Sequence, residues 1–464
     1  MKKYGLLKVL SISILVLVFL TWIIPTSTFD GATVATGERS MVGLWELFNF
    51  PNDSIAFFGD YILFIILIGA FYGILNKIGA YRSLLEKITE IFKGKEKWFL
   101  VGLMVVLGFI TSISGLTIEL FIFIPLIISI ILSMGYDKMV ALSSTVGAIL
   151  VGLIGSTLGY YGAGVLNSVL GLEFNAEILV KIFLFIIPMY LLVSYTLNYA
   201  KRIESKEEKE AVEDPLLLSK KKVKVCLWPV IAILAFIAVI SILGYVSWDF
   251  AFNTNVFTNF HNWVMGIHIG NFYIFEQLFG GSSPFGGWWL SDLSIILLFM
   301  IVLLGIIYKV KLNDVIESVV DGIKKVIPVV AVIILINIIF LIAYNNQINI
   351  TILDWLLGGK FNYLTMALNG MIQSTMFVYL PYAAAYTLPA ATAIINDSAV
   401  NGQMGVIFQA VFGVIMFVAP TSLILLTSLA YTDTSYGKWL KYIGKLFLEI
   451  LLVVIAILTI MVLV

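Results

Sequence analysis

A single carboxylate, Glu119, follows a hydroxyl-rich segment and precedes an apolar one. Residues 111–119 read TSISGLTIE, and an apolar run begins at Leu120. Burying a carboxylate within a membrane costs at least a few kcal/mol, so such a residue is a candidate functional site. Glu119 could hold a proton, a sodium ion or the ammonium group of a substrate. The alternative is a hydrated carboxylate at the membrane surface.

Polar residues interrupt the apolar sequence at matching places in two halves of the chain. Gly or Pro accompanies most interruptions, a pattern typical of discontinuous helices, whose free ends bind ions and charged groups in transporters. The same residues could instead serve close helix packing and helix kinks. Recurrence in both halves favours binding of substrate or ion. The candidate residues are Ser112, Ser114, Thr117, Glu119, Ser144, Thr145, Ser156 and Thr157 in the first half, and Ser374, Thr375, Thr387, Pro420, Thr421 and Ser422 in the second.

The composition requires membrane-spanning helices to position these residues. Of 464 residues, 61% are hydrophobic and 12% are charged, with a mean hydropathy of +1.04; soluble domains carry about 25% charged residues. Apolar runs of roughly 18 residues or more, long enough to cross a bilayer, recur along the chain. Backbone groups in lipid must be paired within their own segment, so we predict an all-α polytopic membrane protein.

The sequence also argues against several function classes. Basic and acidic residues both number 28, so no excess of positive charge favours nucleic acid as a partner. The single cysteine, Cys226, excludes an internal disulfide and a cysteine-based metal site. The chain has no nucleotide-binding loop of the G-x-x-x-x-G-K-[ST] type, no H-E-x-x-H zinc motif and no G-x-S-x-G elbow. We therefore expect no cofactor, only a coupling ion (a proton or sodium) or an exchange partner.

We predict two transmembrane repeats, residues 1–200 and residues 226–464, joined by a charged cytoplasmic linker, residues 201–225. In each repeat an apolar span precedes an amphipathic stretch, residues 75–92 and residues 312–326, with the spacing of an interfacial helix. Two halves of matched anatomy are typical of secondary transporters, which bind substrate where the repeats meet.

Lysine and arginine predict the orientation of the chain. The linker should face the cytoplasm, and residues 248–290, which contain neither lysine nor arginine, should face outwards. If each inverted half had five spans, however, the basic residues within 77–97 and the linker would lie on opposite sides of the membrane. One segment between Trp98 and Tyr199 must therefore be broken or re-entrant, and the sequence does not identify it.

The order and spacing of several segments resemble the YfcC-type carriers, close to the DcuC-like anaerobic C4-dicarboxylate carriers of the ion transporter superfamily. Streptococcal-type arginine/ornithine antiporters also belong with the YfcC group. The resemblance covers most of the chain. It is carried by residues 68–80, by the Glu119 segment up to Asp137, by residues 155–158 and by residues 420–441.

The resemblance implies two inverted repeats, each with a re-entrant hairpin, that form a scaffold and an elevator-like transport domain in a homodimer. It also implies amino acids or small carboxylates as substrates. Two positions depart from the family pattern. Gly159-Tyr160 stands where Asn-Pro is expected after Ser-Thr-Leu, and Ile118-Glu119 stands where paired acidic residues are expected.

We predict a secondary active transporter in a bacterial cell membrane, and the resemblance favours an amino-acid antiporter of the arginine/ornithine type. The alternative within the class is a proton- or sodium-coupled carrier of C4-dicarboxylates or other carboxylates. A membrane-embedded enzyme and a channel-like scaffold are the rivals from other classes. The expected partners of a transporter are a small-molecule substrate and the lipid bilayer.

Overall fold

The computed structural model describes residues 5–204 and 225–463, which are almost wholly helical. The first half contains α1 (Gly5–Ile23), α2 (Leu44–Phe57), α3 (Gly59–Lys77), α4 (Ala80–Ile91), α5 (Glu96–Ser114), α6 (Ile124–Ser133), α7 (Lys138–Leu142), α8 (Ala148–Ile154), α9 (Val165–Val169) and α10 (Ile178–Glu204). The second half contains α11 (Trp228–Tyr245), α12 (Trp248–Ala251), α13 (Val256–Met265), α14 (Ile274–Phe279), α15 (Leu290–Ile307), α16 (Leu312–Asn346), α17 (Ile348–Leu357), α18 (Tyr363–Ser374), α19 (Leu380–Ile395), α20 (Asn401–Ile415), α21 (Leu423–Tyr431) and α22 (Tyr436–Leu463).

The remaining regular structure is short. Single 3-10 or π turns cover Ile118–Ile122, Ser143–Gly147, Tyr160–Gly164 and Ser398–Val400. Two small antiparallel hairpins pair β1 (Ser27–Phe29) with β2 (Val34–Thr36) and β3 (His268–Ile269) with β4 (Phe272–Tyr273).

The predicted all-α polytopic membrane fold is confirmed. Within the described residues, nine helical segments are long and apolar enough to cross a membrane. They are α1, α3, α5, α10, α11, α15, α16, Ser398–Ile415 and α22.

Helices α5 and α6 form a hairpin whose open ends lie together. Lys97, near the start of α5, pairs with Glu204 at 3.1 Å, and the Tyr136 hydroxyl, just after α6, donates to Glu204 at 2.8 Å. Glu204 ends α10 where the predicted linker begins, so we call this end of the bundle the linker side. The hairpin α5–α6 and the break at residues 155–159 both lie between Trp98 and Tyr199, where the sequence required a broken or re-entrant segment.

Helices α18 and α19 form a second hairpin, which opens at the opposite side. Helix α22 begins on the linker side, because the carbonyl of Thr432, just before α22, accepts a hydrogen bond from Lys138 at 2.5 Å. Near the other end of α22, the Thr459 hydroxyl donates to Tyr363 at 3.0 Å, where α18 begins. The two hairpins therefore enter the bundle from opposite sides.

Two interrupted helices run antiparallel beside the hairpins. In the first, a break at residues 155–159 separates α7–α8 from α9. In the second, a break at residues 416–422 separates α20 from α21. Asn401, at the start of the second, donates to the Leu170 carbonyl just after α9 at 3.0 Å. The Lys138–Thr432 contact joins their other ends.

The second predicted amphipathic helix is wrong as a separate element. Residues 80–91 do form the short helix α4, but residues 312–326 are the first turns of the 35-residue α16. Asp314 pairs with Lys77 at 2.9 Å, at the end of α3. The charges of this stretch therefore meet a neighbouring helix, and α16 continues directly into its apolar part.

The predicted linker is only partly described. Helix α10 continues to Glu204, past the predicted boundary at residue 200. Residues 205–224 of the predicted linker lie outside the described residues, as do Lys2 and Lys3 at the start of the chain.

Candidate functional site

The turn of the first hairpin, residues 112–119, packs against the break of the first interrupted helix. We call these residues the first tip. The Thr157 amide donates to the Ser112 carbonyl at 2.7 Å, and the Thr157 hydroxyl donates to the same oxygen at 3.2 Å. The Ser112 hydroxyl donates to the Gly155 carbonyl at 2.6 Å. The carbonyls that become free where each helix ends therefore have polar partners.

Glycine permits this close contact. Gly115 ends α5 in a left-handed conformation, with φ of 77°. A Cβ atom on Gly159 would lie 2.3 Å from the Gly115 nitrogen, closer than real Cβ atoms come. The departure from the family pattern at Gly159 therefore has a steric reason, because the break lies directly on the end of α5.

The turn of the second hairpin, residues 373–379, makes a matching contact with the second break. We call these residues the second tip. The Thr421 hydroxyl donates to the Ser374 carbonyl at 2.7 Å. The hydroxyls of Thr157 and Thr421 thus both donate to the carbonyl of a serine near a hairpin turn, across sequence separations of 45 and 47 residues.

A side chain from the second half donates hydrogen bonds to backbone carbonyls at the first break. The Gln409 amide nitrogen, in α20, donates to the carbonyls of Ile154 and Ser156 at 3.2 Å and 2.9 Å. Gln409 is 1% exposed, so water does not provide this pairing. The first break is therefore tied to the second interrupted helix through α20.

A narrow cavity of about 20 Å³ lies between the two tips and the second break. Its polar lining comes from Thr117, Tyr379 and Ser422. The Ser422 hydroxyl is fully buried and has no hydrogen-bond partner among residues 5–204 and 225–463. Leu380 and Leu423, the first residues of α19 and α21, also line it. Helix N-termini carry partial positive charge and attract anions, so the cavity suits an anionic group.

Glu119 is the last residue of the first tip and is buried. Its side chain is 5% exposed, and its carboxylate accepts the Thr117 amide at 2.8 Å. Within the described ranges no lysine or arginine pairs with it. A charge there must be neutralised by a proton, a cation or the substrate.

The structure brings together most of the residues predicted from the sequence. Some of them contribute only local bonds. The Ser114 hydroxyl bonds the Ile110 carbonyl within its own helix, and the Thr375 hydroxyl bonds the Ile372 carbonyl. Thr387 lies within α19 and donates to Gln373 at 3.5 Å. The predicted residues that lie at the two tips and breaks are Ser112, Ser114, Thr117, Glu119, Ser156, Thr157, Ser374, Thr375, Pro420, Thr421 and Ser422.

Ser144 and Thr145 lie away from the breaks. Ser144 precedes Ile154 by ten residues, or about 15 Å along the helix. The Thr145 hydroxyl bonds the Ala141 carbonyl of its own helix at 2.7 Å.

Sequence reasoning missed two residues of the site. Gln409 is a lone amide within the apolar residues 404–418, and that isolation was an available signal. Tyr379 has no comparable signal, because tyrosines are frequent throughout the chain, which has 21 of them.

Comparison with known proteins gives the family. The family model of the C4-dicarboxylate anaerobic carriers, DcuC, matches residues 5–463. A protein of Haemophilus influenzae described as uncharacterized is 22% identical over 406 residues, covering 83% of this chain and 72% of that protein. The solved YdaH transporter of Alcanivorax borkumensis aligns with 99% of this chain and 98% of its own, at 11% identity and a TM-score of 0.43. Since the family match spans nearly the whole length, the chain belongs to the DcuC family of C4-dicarboxylate anaerobic carriers.

Proposed function

We propose that the chain is a secondary transporter that binds a small carboxylate, in particular a C4-dicarboxylate, between the two tips. The observation that carries this proposal is the convergence of the α19 and α21 N-termini on a cavity containing the unpartnered Ser422 hydroxyl. Both features attract a carboxylate. Membership of a C4-dicarboxylate carrier family supports the same substrate class.

The hairpins supply a route for alternating access. In this conformation the cavity takes about one water molecule or small ion, so a dicarboxylate enters only after a tip has moved away. Because α5–α6 opens on the linker side and α18–α19 on the other, movement at each tip exposes a different face of the membrane. We interpret the two halves as inverted repeats with an elevator-like movement, and we expect a homodimer.

Glu119 is the proposed site of the coupling proton. Its carboxylate lies beside the Thr117 amide, and Thr117 lines the cavity. A proton on Glu119 would remove its repulsion of an anionic substrate and would travel with the substrate during transport. Sodium is the alternative coupling ion, held by carbonyls and hydroxyls at the breaks.

An amino acid is the second candidate substrate. The carboxylate of Glu119 has no lysine or arginine partner within the described ranges. An ammonium group could bind this carboxylate, while the substrate carboxylate binds the helix N-termini. This arrangement would suit the arginine/ornithine exchange predicted from the sequence. Family membership favours either carrier over a membrane-embedded enzyme.

Counterflow in proteoliposomes distinguishes these substrates. We expect external radiolabelled succinate to accumulate in vesicles preloaded with unlabelled succinate, above empty liposomes. Accumulation of arginine that requires internal arginine or ornithine would replace the dicarboxylate with an amino acid. Failure of both substrates would contradict the substrate classes proposed here.

Glu119→Gln tests the coupling role. We expect succinate counterflow within about twofold of wild type, because the neutral amide imitates the protonated carboxylate. Uptake driven by a pH gradient should fall at least tenfold, because the variant binds no proton at this site. If an ammonium binds Glu119 instead, counterflow of the amino acid is lost as well.

Glu449→Gln is the matched control, because Glu449 lies in α22 and pairs with Lys445 at 3.7 Å, outside the site. It should leave both assays unchanged. Proton-driven uptake at the wild-type rate in Glu119→Gln would remove Glu119 from the coupling mechanism.

A further inference from the structure

A groove on the linker side lies between α4, α6 and α11. Its volume is about 360 Å³, and apolar side chains such as Ile88, Leu126 and Leu234 line it. Lys87 of α4 is the only polar residue in the lining. An apolar groove of this kind, open to the surrounding bilayer, suits a hydrocarbon chain.

Among the described residues, the cation at this groove forms no ion pair, and the nearby Glu90 of α4 lies outside the lining. The neighbouring Arg82 pairs with Glu86 at 3.0 Å, and Lys97 pairs with Glu204 at 3.1 Å. Lys87 is exposed and has no acidic partner in the part of the chain that the structure describes. A lysine at the membrane surface attracts anionic headgroups with about 1 kcal/mol, which is roughly a fivefold preference.

A second groove on the other face of α11 provides an internal comparison. It lies between α11 and α15 and is lined by Trp228, Ala232, Met300 and other residues, none of them charged. Its described lining residues offer apolar surface without a cation. The two grooves therefore differ in the feature that would select a headgroup.

We propose that the groove at Lys87 is a binding site for an anionic phospholipid. One acyl chain occupies the apolar lining, and the phosphate lies at the Lys87 ammonium. Because α6 is an arm of the first hairpin, the lipid lies where this hairpin meets α4 and α11.

Native mass spectrometry of the purified full chain with equal amounts of phosphatidylglycerol and phosphatidylcholine tests the headgroup. We expect the wild type to retain phosphatidylglycerol with a roughly fivefold preference. Lys87→Gln should abolish this preference. Lys441→Gln removes an exposed lysine of α22 that does not line the groove, and it should keep the preference. Equal retention of both lipids by the wild type, or the same result from both variants, would overturn the proposal.

Two substitutions in α11 test whether an acyl chain binds in the groove at Lys87. Ala235→Phe fills the groove at Lys87, whereas Ala232→Phe fills the groove on the other face of α11. We expect Ala235→Phe to lower retained phosphatidylglycerol at least threefold and Ala232→Phe to leave it unchanged. Equal effects would contradict the site. If Ala235→Phe does not yield a monodisperse protein, the Lys87 and Lys441 comparison decides alone.

Discussion

At the scale of single residues, the candidate site depends on backbone carbonyls that become free where helices end. Ser112, Ser374 and Ser156 each present a carbonyl to a side chain from another element. In a membrane such groups have no water to replace a lost partner, and an unsatisfied one costs several kcal/mol. The hydroxyl and amide side chains around the breaks are therefore structural partners as well as candidate ligands.

Gln409→Leu tests this dependence. The change leaves the carbonyls of Ile154 and Ser156 without this partner, so we expect a loss of stability of about 1–3 kcal/mol. The measurement is thermal unfolding in detergent, followed by tryptophan fluorescence. Gln403→Leu is the control, because Gln403 is partly exposed in the same helix. Identical melting temperatures for the two variants would contradict the role of Gln409.

The sequence identified much of the site at this scale because Gly and Pro mark the points where helices end. Ser112, Thr157 and Thr421 were found in that way. Gln409 was missed because its partners lie about 250 residues away, at sequence separations of 255 and 253. Ser144 and Thr145 were included because a polar cluster looks the same whether it lies at a break or inside a helix.

At the scale of elements, α3 and α16 pack more closely than ordinary side chains permit. A Cβ atom on Gly73 would lie 2.1 Å from the Ser318 carbonyl oxygen, and one on Gly322 would lie 2.0 Å from the Gly69 carbonyl oxygen. Small residues let membrane helices approach closely. The two helices therefore form a closely packed pair.

Gly73→Ala should destabilise the protein by about 1–3 kcal/mol, because the added methyl group overlaps the α16 backbone. In a helix with free space alanine would instead stabilise by about 0.5–1 kcal/mol. Gly102→Ala, in α5, is the matched control with open space around it. The melting temperature should fall in the first variant and stay or rise in the second. A rise in both would show that α3 and α16 are not in tight contact.

Sequence patterns predicted elements better than their boundaries. Long apolar segments indicated the spans, since about 20 consecutive apolar residues are long enough to cross a membrane as a helix. The stretch at residue 312 was read as a separate interfacial helix because its charges have the right periodicity. The pairing of Asp314 with Lys77, 237 residues away, decides its position, and no local pattern contains that information.

At the scale of the whole molecule, the orientation in the membrane follows from the linker side. Cys226 is exposed at the end of the predicted linker, and the Tyr308 hydroxyl donates to its carbonyl. Lysine-rich segments favour the cytoplasm. A membrane-impermeant thiol reagent should therefore label Cys226 in inside-out vesicles and leave it unlabelled in intact spheroplasts.

The double variant Cys226→Ala/Asn262→Cys is the control for sidedness. Asn262 is exposed in α13, within the residues that contain no lysine or arginine. This variant should label in intact spheroplasts. The opposite result in both proteins would invert the orientation and would place the opening of α5–α6 outside the cell.

The contact from Gln409 to the first break also has a consequence for biosynthesis. Ile154 and Ser156 are synthesised about 250 residues before the amide that pairs with their carbonyls. Until α20 has been inserted, neither carbonyl can have the Gln409 amide as its partner. A chain truncated before residue 409 would therefore lack this contact between the two halves.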